Sequence, residues 1–138
     1  MSNAEILLEF IERVWNKQEM DCLSDFLDKE YSIELDNGDP WEGKTLDHGE
    51  FRKRLHHSFS SFPDIHFSIE TMISDGDSVA IAWILTGTNL GSIGGYPPTG
   101  KKIRTTGMTI YRFRNGKICG HIQVLDRTTV MKQLGYIK

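Results

Sequence analysis

The sequence has no apolar run approaching the ~18–20 residues that a membrane-spanning helix requires. Its N-terminus lacks the basic, apolar and small-residue succession of a secretion signal. Cysteine is scarce: Cys22 and Cys119 stand far apart, and neither has a CxxC partner to suggest a zinc site. They are expected as free buried thiols in a reducing compartment, so the chain reads as soluble and cytoplasmic. Excess positive charge is also missing. Sixteen Lys and Arg against nineteen Asp and Glu leave a net charge of −3, whereas phosphate-backbone binding needs a concentrated basic surface. The short runs Arg52-Lys53-Arg54 and Lys101-Lys102 read as solvated charge, and nucleic acid is excluded as a partner.

Several chemical signatures are absent as well. His48, His56, His57, His66 and His121 show neither HExxH nor paired i,i+4 spacing with a third ligand nearby, so no metal is expected. No Ser-His-Asp or Cys-His nucleophile pattern occurs. Residues 95–102, GYPPTGKK, nearly spell a P-loop. However, Lys102 stands where Ser or Thr is needed, and a strand pattern follows instead of a helix. No cofactor is expected.

What is present is the pattern of one globular domain over residues 1–138, with 38% hydrophobic and 25% charged residues. Leu7, Phe10, Ile11, Val14 and Trp15 form one stripe of a helix over 4–18, and Leu23, Phe26 and Leu27 continue into a shorter one. Tyr31, Ile33 and Leu35 alternate as a short strand before the turn-rich DNGDP. Phe51, Leu55, Phe59 and Phe62 mark a third helix that Pro63 stops. The period then changes to two. Ile65, Phe67, Ile69 and Ile73 form one face, and Val79, Ile81, Trp83 and Leu85 another. A Gly- and Pro-rich loop at 91–100 leads to strands near 101–113 and 117–126, and a last helix spans about 128–134. Helices followed by a run of antiparallel strands make an α+β layout.

The final hairpin turns at Asn115-Gly116. A type I′ turn puts Asp126 on one face with Thr105, Gly107, Thr109 and Tyr111. A type I turn with a glycine bulge puts it with Arg104, Thr106, Met108, Ile110 and Arg112. The second register sets Met108 and Ile110 opposite Ile118, Ile122 and Val124, matching apolar with apolar. It makes Asp126 the one carboxylate on an apolar wall. A carboxylate so placed gains a raised pKa and becomes a useful base near neutrality. Alternatively, Asp126 caps the last helix, since Arg127, Thr128 and Thr129 follow it. His121 falls on the opposite face of its strand from Asp126 and reads as a surface or interface residue.

Three motifs in fixed order, TGTNLG at 86–91, YPPTGKKI at 96–103 and YRFRNGKICGHIQVLD at 111–126, precede QLG at 133–135. With VWN at 14–16 and SFPD at 61–64, they resemble the SnoaL-like polyketide cyclases of the NTF2-like superfamily over almost the whole chain. The resemblance implies a conical α+β fold, with a curved antiparallel sheet wrapped over the N-terminal helices around an apolar cavity. It also implies metal-free, cofactor-free intramolecular aldol cyclisation with Asp126 as acid/base group, and pairing of two copies through the convex sheet face. Candidate contacts for a small hydrophobic ligand are Trp15, Tyr31, His56, Phe59, Phe62, Trp83, Met108, Ile110 and Ile122. The chain departs from the family pattern at Gly120 and Ile122, where many relatives carry an acidic residue and a tryptophan. It departs again at Ala82, where many have arginine. Cyclisation or isomerisation of a small apolar carbonyl compound is the leading reading. A non-catalytic hydrophobic-ligand binder and a protein-interaction module with a filled interior are the alternatives.

Overall fold

A computed structural model describes residues 1–138. Helix α1 (Asn3–Phe10) begins in a capping box, in which Ser2 and Glu5 satisfy each other's exposed backbone N–H groups. It runs on into a π-helical stretch, Ile11–Asn16, carrying Trp15. Helix α2 (Leu23–Phe26) is one turn long. Strands β1 (Leu27–Asp36) and β2 (Thr45–Leu46) flank a loop, and α3 (His48–Ser61) follows with a second capping box from Asp47 and Glu50. Strands β3 (His66–Asp75), β4 (Ser78–Thr88), β5 (Lys102–Arg114) and β6 (Lys117–Leu125) precede α4 (Arg127–Gln133). The expected α+β order is present. However, β1 is a ten-residue strand starting at Leu27, which the sequence pattern assigned to the second helix.

The six strands form one sheet in the order β2-β1-β6-β5-β4-β3. All pairs are antiparallel except β1 with β6. That one parallel pairing brings the first strand against the last, across some ninety residues of chain. The rings of Phe10, Phe26, Phe51 and Tyr31 pack edge-on or tilted in the core, with centroids 4.9–6.3 Å apart.

The polar residues of the sequence motifs are clamps between elements. The side-chain amide of Asn16 exchanges two hydrogen bonds with the backbone of Phe67 (3.0 and 2.8 Å) and so imitates a neighbouring strand. Asp64 accepts from the backbone N–H and the hydroxyl of Thr88. Asn89, fully buried, donates to the Gly91 carbonyl and accepts from Thr99, which pins both ends of the 91–100 loop. Gln133 likewise accepts from and donates to the backbone of Arg104, seating α4 on β5.

The hairpin combines features of both expected registers. Asn115 (φ 50°) and Gly116 (φ 76°) make the two-residue turn with positive φ at both positions, pairing Arg114 with Lys117. Three residues later β6 bulges: Phe113 pairs with Ile118 but Arg112 pairs with Gly120. Beyond that extra residue Ile110 faces Ile122 and Met108 faces Val124, which is the apolar match expected. The bulge also inverts the strand. Ile118 points into the core, whereas Ile122 and Val124 point to the convex face. A second bulge, between Ile69 and Thr71 of β3, turns Met72 inward and leaves Ile73 exposed.

Candidate active site

The concave side of the sheet, the π-helical stretch, α3 and α4 enclose a cavity of about 460 Å³. Of its 28 lining residues 17 are hydrophobic, so the few polar groups that reach it are conspicuous. Trp15, Phe67 and Trp83 stack edge-to-face along one wall, at centroid distances of 5.2 and 5.1 Å. Gly107 permits this, since a side chain there would run into the Trp83 ring at 2.4 Å. Gly38, Asp39 and Pro40 of the β1–β2 loop, Ile93, Gly94 and Tyr96 of the 91–100 loop, and Val130 and Met131 of α4 line the remainder of the space.

The polar end is organised by Asp36, at the end of β1 and 1% exposed. Its Oδ2 accepts from His121 Nε2 (2.9 Å), Gln123 Nε2 (3.1 Å) and Arg54 Nη2 (3.2 Å), and its Oδ1 from Arg127 Nη2 (3.2 Å). Arg54 is shared with Asp39 through two further bonds of 3.1 and 3.0 Å. Arg127 Nε also donates to the Asn37 carbonyl. Burial pushes Asp36 up, but the hydrogen bond from His121 and the charges of Arg54 and Arg127 outweigh it. The carboxyl is held below its ordinary value. Asp36 is therefore an anion at neutral pH and can only accept hydrogen bonds.

That fixes the imidazole. Burial pulls His121 below its ordinary pKa, with Asp36 opposing and Arg54 reinforcing the shift, so the ring is neutral at pH 7. With the carboxylate facing Nε2, the proton sits on Nε2, and Nδ1 is the bare nitrogen. Nδ1 lies 2.6 Å from the Tyr31 hydroxyl, which donates to it. Tyr31, His121 and Asp36 thus form a directed relay, two members of which, Tyr31 and His121, line the cavity. A second donor chain ends on the same carboxylate, from Trp83 Nε1–H to the Thr109 hydroxyl (2.9 Å), to Gln123 Oε1 (2.8 Å), and from Gln123 to Asp36.

Asp126 lies elsewhere. It is the N-cap of α4 and is exposed, accepting from the Thr129 backbone N–H (3.0 Å) and hydroxyl (2.6 Å). Those two bonds hold its carboxyl below the ordinary value, which is opposite to the rise expected of a buried base. Among the expected ligand contacts, Trp15, Tyr31, Phe62 and Trp83 do line the cavity. Phe59 is buried against Trp15 behind that wall. His56 is exposed, and its neighbour His57 takes the lining position. Met108, Ile110 and Ile122 belong to the convex face, the first 67% exposed. The bulge in β6 accounts for the last three and for Asp126. It also accounts for His121, expected at the surface but 2% exposed in the site. Asp36, Arg54 and Gln123 were missed because no local spacing marks them. The only signal was that DNGDP is rich in acids at a strand end.

The fold and this polar-ended cavity define an NTF2-like α+β cone. The sequence profile of the SnoaL-like polyketide cyclases matches residues 5–134, and the chain belongs to that family. A proposed polyketide cyclase from Acidithiobacillus ferrooxidans is 36% identical, with a TM-score of 0.90 over 99% of this chain and 97% of that one. A SnoaL-like polyketide cyclase from Agrobacterium tumefaciens is 26% identical, with a TM-score of 0.78 over 98% and 99%. IdmH, a proposed polyketide cyclase from Streptomyces antibioticus, is 24% identical and shares the fold, with a TM-score of 0.82 over 98% and 99%. No curated protein matches the chain in sequence. None of the helices is long and apolar enough to cross a membrane.

Proposed function

We propose that the protein catalyses cofactor-independent cyclisation or isomerisation of a small, mostly apolar carbonyl compound by acid/base chemistry. The observation that carries this reading is the Tyr31–His121–Asp36 relay at the polar end of an apolar cavity. The substrate's α-carbon gives its proton to Tyr31 Oη while the Tyr31 proton passes to His121 Nδ1. The C–H electron pair moves into the carbonyl to form an enolate. Tyr31 stays neutral throughout, which matters because burial raises its phenol pKa well above the ordinary value. The imidazolium so formed faces the Asp36 carboxylate, which stabilises it. In a ring closure the enolate carbon attacks a second carbonyl, and the new alkoxide takes the proton back along the same path. In an isomerisation a different carbon takes it.

The test is α-proton exchange of 2-tetralone in D₂O, followed by NMR. The wild type accelerates exchange, Tyr31→Phe and His121→Gln lose the acceleration, and Asp126→Asn keeps it. Equal exchange in wild type and both relay variants removes the catalytic reading. A non-catalytic ligand binder is the second reading, favoured because the one bare nitrogen of His121 already accepts a bond from Tyr31. It requires ligand binding without exchange.

The molecule is proposed to be a homodimer through the convex face, where Met108 and Val124 are 67% and 71% exposed beside Ile110. Met108→Lys with Val124→Lys then yields a monomer by light scattering, and an unchanged mass removes the proposal. A cytoplasmic location is proposed on the two free cysteines.

A further inference from the structure

The relay explains where a proton goes, but an enolate also needs donors for its oxygen. Tyr111, on β5 beside His121 (ring centroids 6.0 Å), is 6% exposed and lines the cavity. Its hydroxyl has no hydrogen-bond partner in the protein. Yet no buried polar side-chain atom is sealed off without a partner, so this hydroxyl opens onto free space. It differs in this from the other buried polar groups nearby. Tyr31 is spent on His121, Thr109 on Gln123, and Trp83 on Thr109. Arg54 repeats the pattern. It is also 6% exposed and lines the same cavity; its Nε and Nη2 are bound to Asp39 and Asp36, and its Nη1 has no partner.

Two unspent donors, one of them cationic, therefore serve the same cavity as the relay. Both are held by packing. The Tyr111 ring packs edge-on against Phe10, and the Arg54 guanidinium is gripped by two carboxylates. A donor pre-set in a dry pocket costs no reorganisation when charge develops on oxygen. Burial keeps the Tyr111 phenol protonated, raising its pKa, with the Arg54 charge working the other way. It is thus a donor and not a base.

We propose that Tyr111 Oη and Arg54 Nη1 hold the substrate's carbonyl oxygen and stabilise it as an enolate. The substrate class that this fits is a flat conjugated ketone, with the oxygen at the Tyr111 end and the hydrocarbon skeleton against Trp15, Phe67 and Trp83. The proposal deepens the cyclase reading and rests on the same cavity, but it is tested by binding and not by turnover.

The probes are 2-naphthol, whose oxygen stands in for the enolate oxygen, and 2-methylnaphthalene, which has the same shape without it. Calorimetric titration of the wild type gives 2-naphthol the tighter binding by about tenfold, as a hydrogen bond to a preorganised donor in a dry pocket allows. Tyr111→Phe, which keeps the ring, removes most of that preference and leaves 2-methylnaphthalene binding unchanged. Equal affinity for the two probes in the wild type, or the same preference after Tyr111→Phe, overturns the oxyanion role and leaves the relay untouched. Binding of neither probe by the wild type overturns both the ligand cavity and the role built on it. Loss of α-proton exchange in Tyr31→Phe with a retained 2-naphthol preference separates the two sites of action.

Discussion

Replacing Asp36 with asparagine changes a single atom type at the centre of the site. Four donors converge on this carboxylate, from His121, Gln123, Arg54 and Arg127, and three of them share Oδ2. Asparagine offers one acceptor oxygen and one NH₂. If its oxygen takes the Oδ2 position, the NH₂ confronts the Arg127 guanidinium; if it is turned, the NH₂ confronts three donors. Arg54 keeps Asp39 and Arg127 keeps the Asn37 carbonyl, so neither cation is wholly abandoned. Removing one partner of a buried ion pair costs about 3–5 kcal/mol, and the retained contacts put this case at the lower end. For a chain of this size ~3 kcal/mol corresponds to roughly 10 °C in Tm. The assay is a calorimetric melt at neutral pH for Asp36→Asn against wild type, with a parallel NMR titration of His121. In the variant the histidine pKa moves further down, because Asp36 is a main influence holding it up against burial and Arg54. A Tm loss under ~2 °C, or a His121 pKa that rises, would refute the placement of Asp36 as the charge that organises the site.

Asp126→Ala removes the cap of α4 and lowers Tm slightly, far less than Asp36→Asn; α-proton exchange stays at the wild-type rate. Loss of exchange with an intact fold would return the acid/base role to Asp126. Ile122→Trp leaves 2-naphthol affinity unchanged, since the side chain faces away from the cavity, and weaker binding by calorimetry would contradict the strand inversion at the β6 bulge. Stability falls in two stages on acidification. The fold favours neutral His121, so stability is complete above the ordinary histidine value of 6.5 and declines as the pH falls from there towards the lower folded value. The fold also favours the Asp36 carboxylate, so the stability it contributes is present above the ordinary value of 3.8 and lost as pH falls through the still lower folded value. Urea titrations across pH measure both stages, and His121→Gln abolishes the first.

The order of elements, the turn at Asn115-Gly116, the apolar pairing of Met108 and Ile110 with Val124 and Ile122, and the family were all legible along the chain. The family rests on short motifs whose polar residues, Asn16, Asp64, Asn89 and Gln133, clamp one element to another; the other three rest on local periodicity and turn chemistry. Trp15, Tyr31, Phe62 and Trp83 were legible as cavity wall for the same reason: each is a large residue on a periodic apolar stripe.

Which face of β6 looks inward was settled by the folded sheet. Alternation along the strand separates His121 from Ile122 and Val124, but it does not tell which face is the core. One extra residue at Cys119-Gly120 inverts the answer. That bulge lies where β6 meets β1, with Gly120 so close to the Ser32 carbonyl that a side chain there would come within 2.4 Å. The site has the same origin. Asp36 meets His121 across 85 residues, and Tyr31 meets it across 90, because β1 pairs in parallel with the last strand. No spacing along the chain encodes such a meeting. It exists only once the sheet has closed and burial has forced each polar group to find its partner.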